Sequence, residues 1–200
     1  MMLRKSLMAT LIIVPALSGC AITTATTPLT YQPQKSVAAL PDAKNVVVHV
    51  VVKNEKKHKR IGRKENGLGM SMASIYAKEP ISKTVQDAIQ KELVARGFGT
   101  GNGGPVILNA TVKEFHNTFH IGVIEGEAVA RLSMVVAVMT KGGKEVFFKD
   151  ITATGKTGSM ISSGNNAGIA MDRALHAGIK TLFDDPAFMQ ALFTAGKESQ

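Results

Sequence analysis

Val46, Val47, Val48, Val50, Val51 and Val52 surround His49 in an apolar, β-branched run that predicts a strand over Asn45–Lys53. Its lack of alternation reads as burial on both faces, hence a central strand. Pro80 and Ser82 announce a helix with Ser82 as N-cap, and Val85, Ala88, Ile89 and Leu93 fall on one of its faces. Gly97 is placed to end it in a left-handed conformation, with Phe98 folded back on Leu93. A strand opening at Pro105 alternates Val106, Leu108, Ala110 and Val112 with Ile107, Asn109, Thr111 and Lys113. A longer alternation covers Glu127–Thr140, with Ala128, Ala130, Leu132, Met134, Val136 and Val138 on one face. Lys141-Gly142-Gly143-Lys144 reads as a hairpin turn into a return strand over Glu145–Gly155. Asn165 or Asn166 is the expected cap of a helix whose stripe is Met171, Leu175, Ile179, Leu182 and Phe183. Asp185-Pro186 then starts a short last helix, with the acid at N-cap and proline at N1. The order β-α-β-β-β-α-α predicts an α+β fold: a mostly antiparallel sheet of about four strands with two main helices on one face.

The ends of the pattern behave differently. Arg4 and Lys5 precede an apolar run over Leu7–Leu17 and then Leu17-Ser18-Gly19-Cys20. The run is about half of the ~20 residues that span a bilayer, so it reads as a secretion signal. Its last four residues match the lipobox of bacterial lipoproteins, with cleavage between Gly19 and Cys20 and a diacylglycerol on the cysteine thiol. Three acyl chains in all, as in the lipoproteins this resembles, would hold the protein at a membrane where one chain would not. Ala21 rather than aspartate follows the cysteine, which by the same resemblance favours the outer membrane, periplasmic side. The periplasmic face of the inner membrane is the alternative. Residues 21–43 show no period and read as a flexible tether reaching roughly 25–30 Å on average. The expected organisation is a signal peptide over 1–19, lipidated Cys20 and tether over 20–43, one α+β domain over 44–196 and a tail over 197–200.

Composition narrows the chemistry. Cys20 is the only cysteine, so lipidation leaves none for disulfides, thiol catalysis or thiolate metal sites. The formal charge is +9, of which Arg4 and Lys5 supply two, leaving +7 after cleavage. In the periplasm that surplus points to anionic lipid, lipopolysaccharide or acidic proteins rather than nucleic acid. It is concentrated between Lys53 and Lys64, where seven of twelve residues are basic. Lys56, Lys57, Lys59, Arg60, Arg63 and Lys64 are the candidates for contact with an anionic surface, each worth ~1 kcal/mol close to it. A charged, solvated loop is the competing explanation. The few aromatics give no support to base stacking.

The chain resembles the YajG-like lipoproteins of Gram-negative bacteria. The likeness is carried by the lipobox, by Ile61-Gly62 followed by Gly67, and by the helix end Glu92-Leu93-Val94-Ala95-Arg96-Gly97-Phe98. Gly104-Pro105-Val106 and the Asp-Pro tail of the C-terminal helices agree with it. The resemblance implies an envelope location and a fold; it implies no enzymatic activity and no catalytic residues.

Other motifs are better explained by structure than by chemistry. Gly99 to Gly104 spells G-x-G-x-x-G, but between a helix and a strand, the reverse of a dinucleotide site. Thr154-Gly155-Lys156-Thr157 echoes the end of a P-loop whose first glycine would be Asp150. Ser162-Ser163-Gly164-Asn165-Asn166 could hold an anion at a helix start, and capping explains it as well. His116 and His120 have helical metal spacing, but in a segment reading as strand end and loop, where that spacing does not converge, so no metal site is expected. His49 reads as a strand residue with its polar edge satisfied locally. Gly69-Met70-Ser71-Met72-Ala73 lacks the second glycine of a nucleophile elbow. No catalytic residue and no cofactor beyond the lipid on Cys20 is expected. The chain reads as a non-enzymatic envelope protein that binds another envelope component or assembles with itself. An auxiliary role in lipid or lipopolysaccharide transport and a cell-wall hydrolase are the alternatives.

Overall fold

The computed structural model describes residues 23–35, 37–66, 68–120, 126–159 and 162–198. In chain order its elements are β1 (Ala25–Thr27), a 3-10 turn (Ala43–Asn45), β2 (Val47–Asn54), β3 (Gly62–Glu65), β4 (Ser71–Ala77) and α1 (Ile81–Ala95). They continue with β5 (Gly99–Thr100), β6 (Val106–His120), β7 (Gly126–Met139), β8 (Glu145–Ser159), α2 (Gly164–Phe183) and α3 (Pro186–Lys197). The expected calls on Gly19 and Cys20 lie outside the described residues. No described helix is long and apolar enough to cross a membrane.

The larger sheet has five strands in the order β5-β2-β6-β7-β8. Its β6-β7-β8 meander is antiparallel, whereas β2 runs parallel to β6. The alternation of β7 is realised as read: Ala128, Ala130, Leu132, Met134, Val136 and Val138 are all buried under the helices. Facing them on β6 are Leu108, Ala110 and Val112, and then, after a register shift between Val112 and Glu114, Phe115. That bulge spends Lys113 as an extra residue, so the core face moves from even to odd numbers and Phe115, Asn117 and Phe119 stay inside.

α2 lies directly on β7 and β8. A Cβ on Gly155 of β8 would come within 2.1 Å of the Ala170 carbonyl oxygen, and one on Gly178 within 2.7 Å of Leu132. Two glycines thus let helix and sheet approach closely. α1 and α3 complete the layer, with Phe98 against Phe193 at 5.3 Å and Phe183 against Phe188 at 5.2 Å between ring centroids.

Several expectations are corrected. The sheet count rises from one of about four strands to two sheets, because β1, β4 and β3 form a second, three-stranded sheet in that order. β3 and β4 are an antiparallel hairpin within the segment read as a polar connection. The valine run of β2 is buried on one face: Val48 and Val50 are inside, Val47 is exposed, and Val51 and Val52 are half-buried. α1 starts at Ile81 with Pro80 as its cap residue and without a side-chain cap bond, so Ser82 is not the cap. The cap of α2 is Ser163, whose hydroxyl accepts from the Asn166 amide, one turn earlier than the asparagines proposed.

Residues 23–43 are not a free tether. Thr27, Tyr31 and Ala43 are buried, and β1 pairs in parallel with β4. The Thr30 amide and hydroxyl both donate to Asp172 on α2, at 2.8 and 2.9 Å. The Leu40 amide donates to the Arg96 carbonyl at the end of α1. Each tie is made by a single residue, which is why no period announces it.

The end of α1 and the start of α3 follow the reading closely. Gly97 has φ 89°, and the Phe98 amide donates to the Leu93 carbonyl at 3.0 Å in a Schellman ending. The Asp185 carboxylate accepts from the Ala187 amide at 2.8 Å, with Pro186 opening α3. Helix α3 runs to Lys197, and Glu198 beyond it pairs with Lys144, so the start of the expected tail is ordered by the fold.

Candidate functional site

Beyond Asn54 the chain leaves the large sheet. The Glu55 amide still donates to the Val112 carbonyl at 2.9 Å, but residues 56–60 swing out as a loop before β3 begins. The Ile61 amide then pairs with Ile75, and the Ile61 carbonyl accepts from the Asn117 amide at 2.6 Å. This single bond stitches the small sheet to the C-terminal half of β6. Between the stitched strand, the loop and β6 lies an open groove of about 640 Å³.

The groove gathers charge of one sign. Lys56, Lys57, Arg60 and Arg63 line it from the loop and β3, and Lys113 and His116 line it from β6. Glu65 and Glu114 are its acids. Glu114 is engaged with the His116 Nδ1 at 3.1 Å, and Lys113 pairs with Glu55. Arg63 donates to the Ser71 hydroxyl at 3.3 Å, which holds its guanidinium along the hairpin. Lys56 is half-buried; its ammonium donates to the Arg60 carbonyl at 3.3 Å, and burial pulls its pKa down to about 8.

Asn117 gives the groove a buried polar element. It is 4% exposed, it lines the groove, and its side-chain oxygen has no hydrogen-bond partner among the described residues. A buried acceptor of this kind calls for a donor. Gly62 keeps the approach narrow, since a Cβ there would sit 3.1 Å from the Asn117 carbonyl oxygen. The arrangement suits a ligand with an anionic group for the lysines and arginines.

Four of the six basic residues singled out from the sequence meet at this groove: Lys56, Lys57, Arg60 and Arg63. The other two do not line it. Lys59 is exposed on the loop, and the Lys64 ammonium reaches the Thr23 carbonyl at 2.8 Å. Lys113 and Asn117 escape the sequence reading as groove residues, and His116 figures there only as a metal ligand, because they sit in β6, more than fifty residues from Lys56. The break in alternation at Lys113 was the available signal for them.

The remaining motifs have structural roles. His116 and His120 are four residues apart on an extended strand, about 13 Å along it. The described residues contain no group of three or more His, Cys, Asp or Glu placed to hold a metal. Gly104 lies where a Cβ would be 2.6 Å from the Val47 carbonyl oxygen, so the G-x-G-x-x-G is partly a packing requirement. Thr154–Thr157 are part of β8, and Ser162 accepts from the Glu65 amide at 3.0 Å.

A family model described as uncharacterized lipoprotein matches residues 33–192. The chain belongs to that family. Its membership indicates a membrane-anchored envelope location. Among solved structures it resembles protein XCC0632 from Xanthomonas campestris, assigned to DUF330. Identity there is 14%, the match covers 88% of this chain and 99% of that one, and the TM-score is 0.59. This likeness extends to the fold alone. A minor lipoprotein from Acinetobacter baumannii matches at 10% identity over 77% of this chain and 92% of its own, with a TM-score of 0.38. A lipoprotein from Neisseria meningitidis matches at 17% identity over 62% and 90%, with a TM-score of 0.28. Among curated proteins the chain has no match.

Proposed function

We propose that this lipoprotein is a non-enzymatic binding protein, anchored through Cys20 to the outer membrane on its periplasmic side, that takes an anionic envelope component into the basic groove. The pattern that suggests the YajG-like group within the family is compatible with this role. The observation that carries the proposal is the meeting of Lys56, Lys57, Arg60 and Arg63 at one groove. At about 640 Å³ the groove falls in the size range of small-ligand sites. Its openness to one side also suits the acidic edge of a partner protein. Ser133, Glu114 and His116 line the same groove, but no described serine is hydrogen-bonded to a histidine.

An auxiliary role in lipid or lipopolysaccharide transport is the second reading, favoured by the match between the groove's cations and a phosphorylated headgroup. Photo-crosslinking in cells from Lys57, Arg60 and Arg63, followed by mass spectrometry, separates the two. A discrete protein adduct supports the binding role; adducts confined to lipid or lipopolysaccharide support transport or surface attachment. No adduct from any of the three positions overturns the groove as a site.

A further inference from the structure

The β3–β4 hairpin ends in apolar side chains that the described residues leave exposed. Leu68 is 84% exposed and Met70 55%, and Met72 and Tyr76 are exposed further along β4. The tip is built rather than loose. The Asn66 side-chain oxygen accepts from the amides of Leu68 and Met70, and the Asn66 amide donates to the Met70 carbonyl at 3.0 Å. Gly69 takes φ 77° to close the turn.

The position of this tip relative to Cys20 gives it meaning. β1 runs parallel to β4, with Ala25 opposite Ile75, so the chain before Ala25 comes from the end of the sheet where β4 starts. Lys64, paired with Ala73 across the hairpin, donates to the Thr23 carbonyl at 2.8 Å. Three peptide steps connect Thr23 to Cys20 and can span at most about 10 Å. Three steps also connect Ala73 to Met70. Cys20 is therefore confined to within about 10 Å of Thr23, at the end of the small sheet where the hairpin tip lies. Arg63 and Lys64 lie on β3 as it runs into the tip, followed by Glu65.

The geometry points to a membrane contact: the β3–β4 hairpin docks on the bilayer beside the lipid anchor, with Leu68 and Met70 among the acyl chains and the flanking basic residues at anionic headgroups. This inference rests on lipidation of Cys20, part of the function proposed above. Anchor and hairpin together would fix the orientation of the domain, which an acyl anchor on a free tether could not do.

The test uses the full chain, purified from membranes and reconstituted in vesicles of phosphatidylethanolamine with a minority of phosphatidylglycerol. Environment-sensitive probes are attached at Leu68→Cys, Met70→Cys and, on the outer face of α1, Val94→Cys. Palmitate incorporation at Cys20 is measured on the same preparations. The expected result is acylated protein whose probes at 68 and 70 shift to the blue and lose most of their intensity to lipids spin-labelled high on the acyl chain. The probe at 94 should keep its intensity. Acylation without quenching at 68 or 70, or equal quenching at all three positions, overturns the docking and leaves the anchor standing. Absence of palmitate at Cys20 overturns both.

Discussion

The Tyr31 hydroxyl donates to the Glu92 carboxylate at 2.7 Å, joining the N-terminal segment to α1 through a fully buried charge. Glu92 also pairs with Arg96 and accepts from the Gln34 amide at 3.2 Å. The Arg96 guanidinium in turn lies 4.8 Å from the centre of the Phe183 ring. Burial alone would raise the Glu92 pKa, but its bonds from Tyr31, Arg96 and Gln34 outweigh that and hold it below the ordinary carboxylate value. Glu92→Gln leaves Arg96 buried without its counter-charge and should cost about 3–5 kcal/mol in denaturant unfolding. Because the folded pKa is depressed, this stabilisation is present above the unfolded value and is lost as pH falls through the folded one. The gap between the two proteins should therefore narrow in acid. Hydrogen exchange in the 30–40 segment should quicken in the variant; an unchanged rate there would mean that Glu92 does not hold the segment.

What the sequence made legible follows from how each element declares itself. β7, α2 and the Gly97 ending announce themselves by period or by a residue type that only one conformation suits. β1 and β5 have three and two residues, too few for any period, and exist only because β4 and β2 offer edges. The hairpin of β3 and β4 has charged and small residues where a buried strand would show alternation. Pattern reading stopped β6 at Lys113 because a bulge reverses the parity there. The groove was half legible: a basic run is visible in one dimension, whereas Asn117 and His116 enter it only through the Ile61 stitch.

Gly155 carries a prediction about the helix–sheet contact. A methyl group there would meet main-chain atoms, the Ala170 oxygen at 2.1 Å and the Ala174 nitrogen at 2.3 Å, and neither can rotate away. Gly155→Ala should destabilise by about 3 kcal/mol or more, as overpacking against backbone does. Gly142→Ala, in the β7–β8 turn with Thr140 Oγ1 3.8 Å from the added carbon, should stay within about 0.5 kcal/mol. Equal melting temperatures for the two variants would contradict the close approach of α2 to β8.

Asp185 links α3 to β8. It caps the helix through the Ala187 amide and pairs with Lys149 of β8 at 2.5 Å. The Lys149 bond first, and then the helix amides, hold its carboxyl below the ordinary value against the effect of burial. Asp185→Ala should cost about 1 kcal/mol as a lost cap, with Lys149→Ala costing less because the cap bond to the Ala187 amide remains. The Asp185 contribution should fade as pH falls through its depressed pKa, so the Asp185→Ala and parent proteins should converge in stability under acid conditions.

Lys56 makes the groove's charge pH-dependent in the range where binding can be followed. Burial lowers its pKa to about 8, so the ammonium is charged below that value and neutral above it. Lys57, Arg60, Arg63 and Lys113 share the groove with it, against Glu65 and Glu114. An anion bound beside Lys56 favours the charged form, and binding above pH 8 must then take up a proton. Affinity for sulfate, itself a dianion across this range, should thus be highest below pH 8 and fall as pH rises past it. The fall should approach tenfold, the worth of one charge-assisted contact of about 1.4 kcal/mol. Lys56→Met should lower the affinity at pH 7 by a similar factor and flatten the profile. Arg60→Gln should weaken binding at every pH and keep the slope. Calorimetric titration of the three proteins at low salt decides the matter: a flat profile in the parent protein would place the anion elsewhere, away from Lys56.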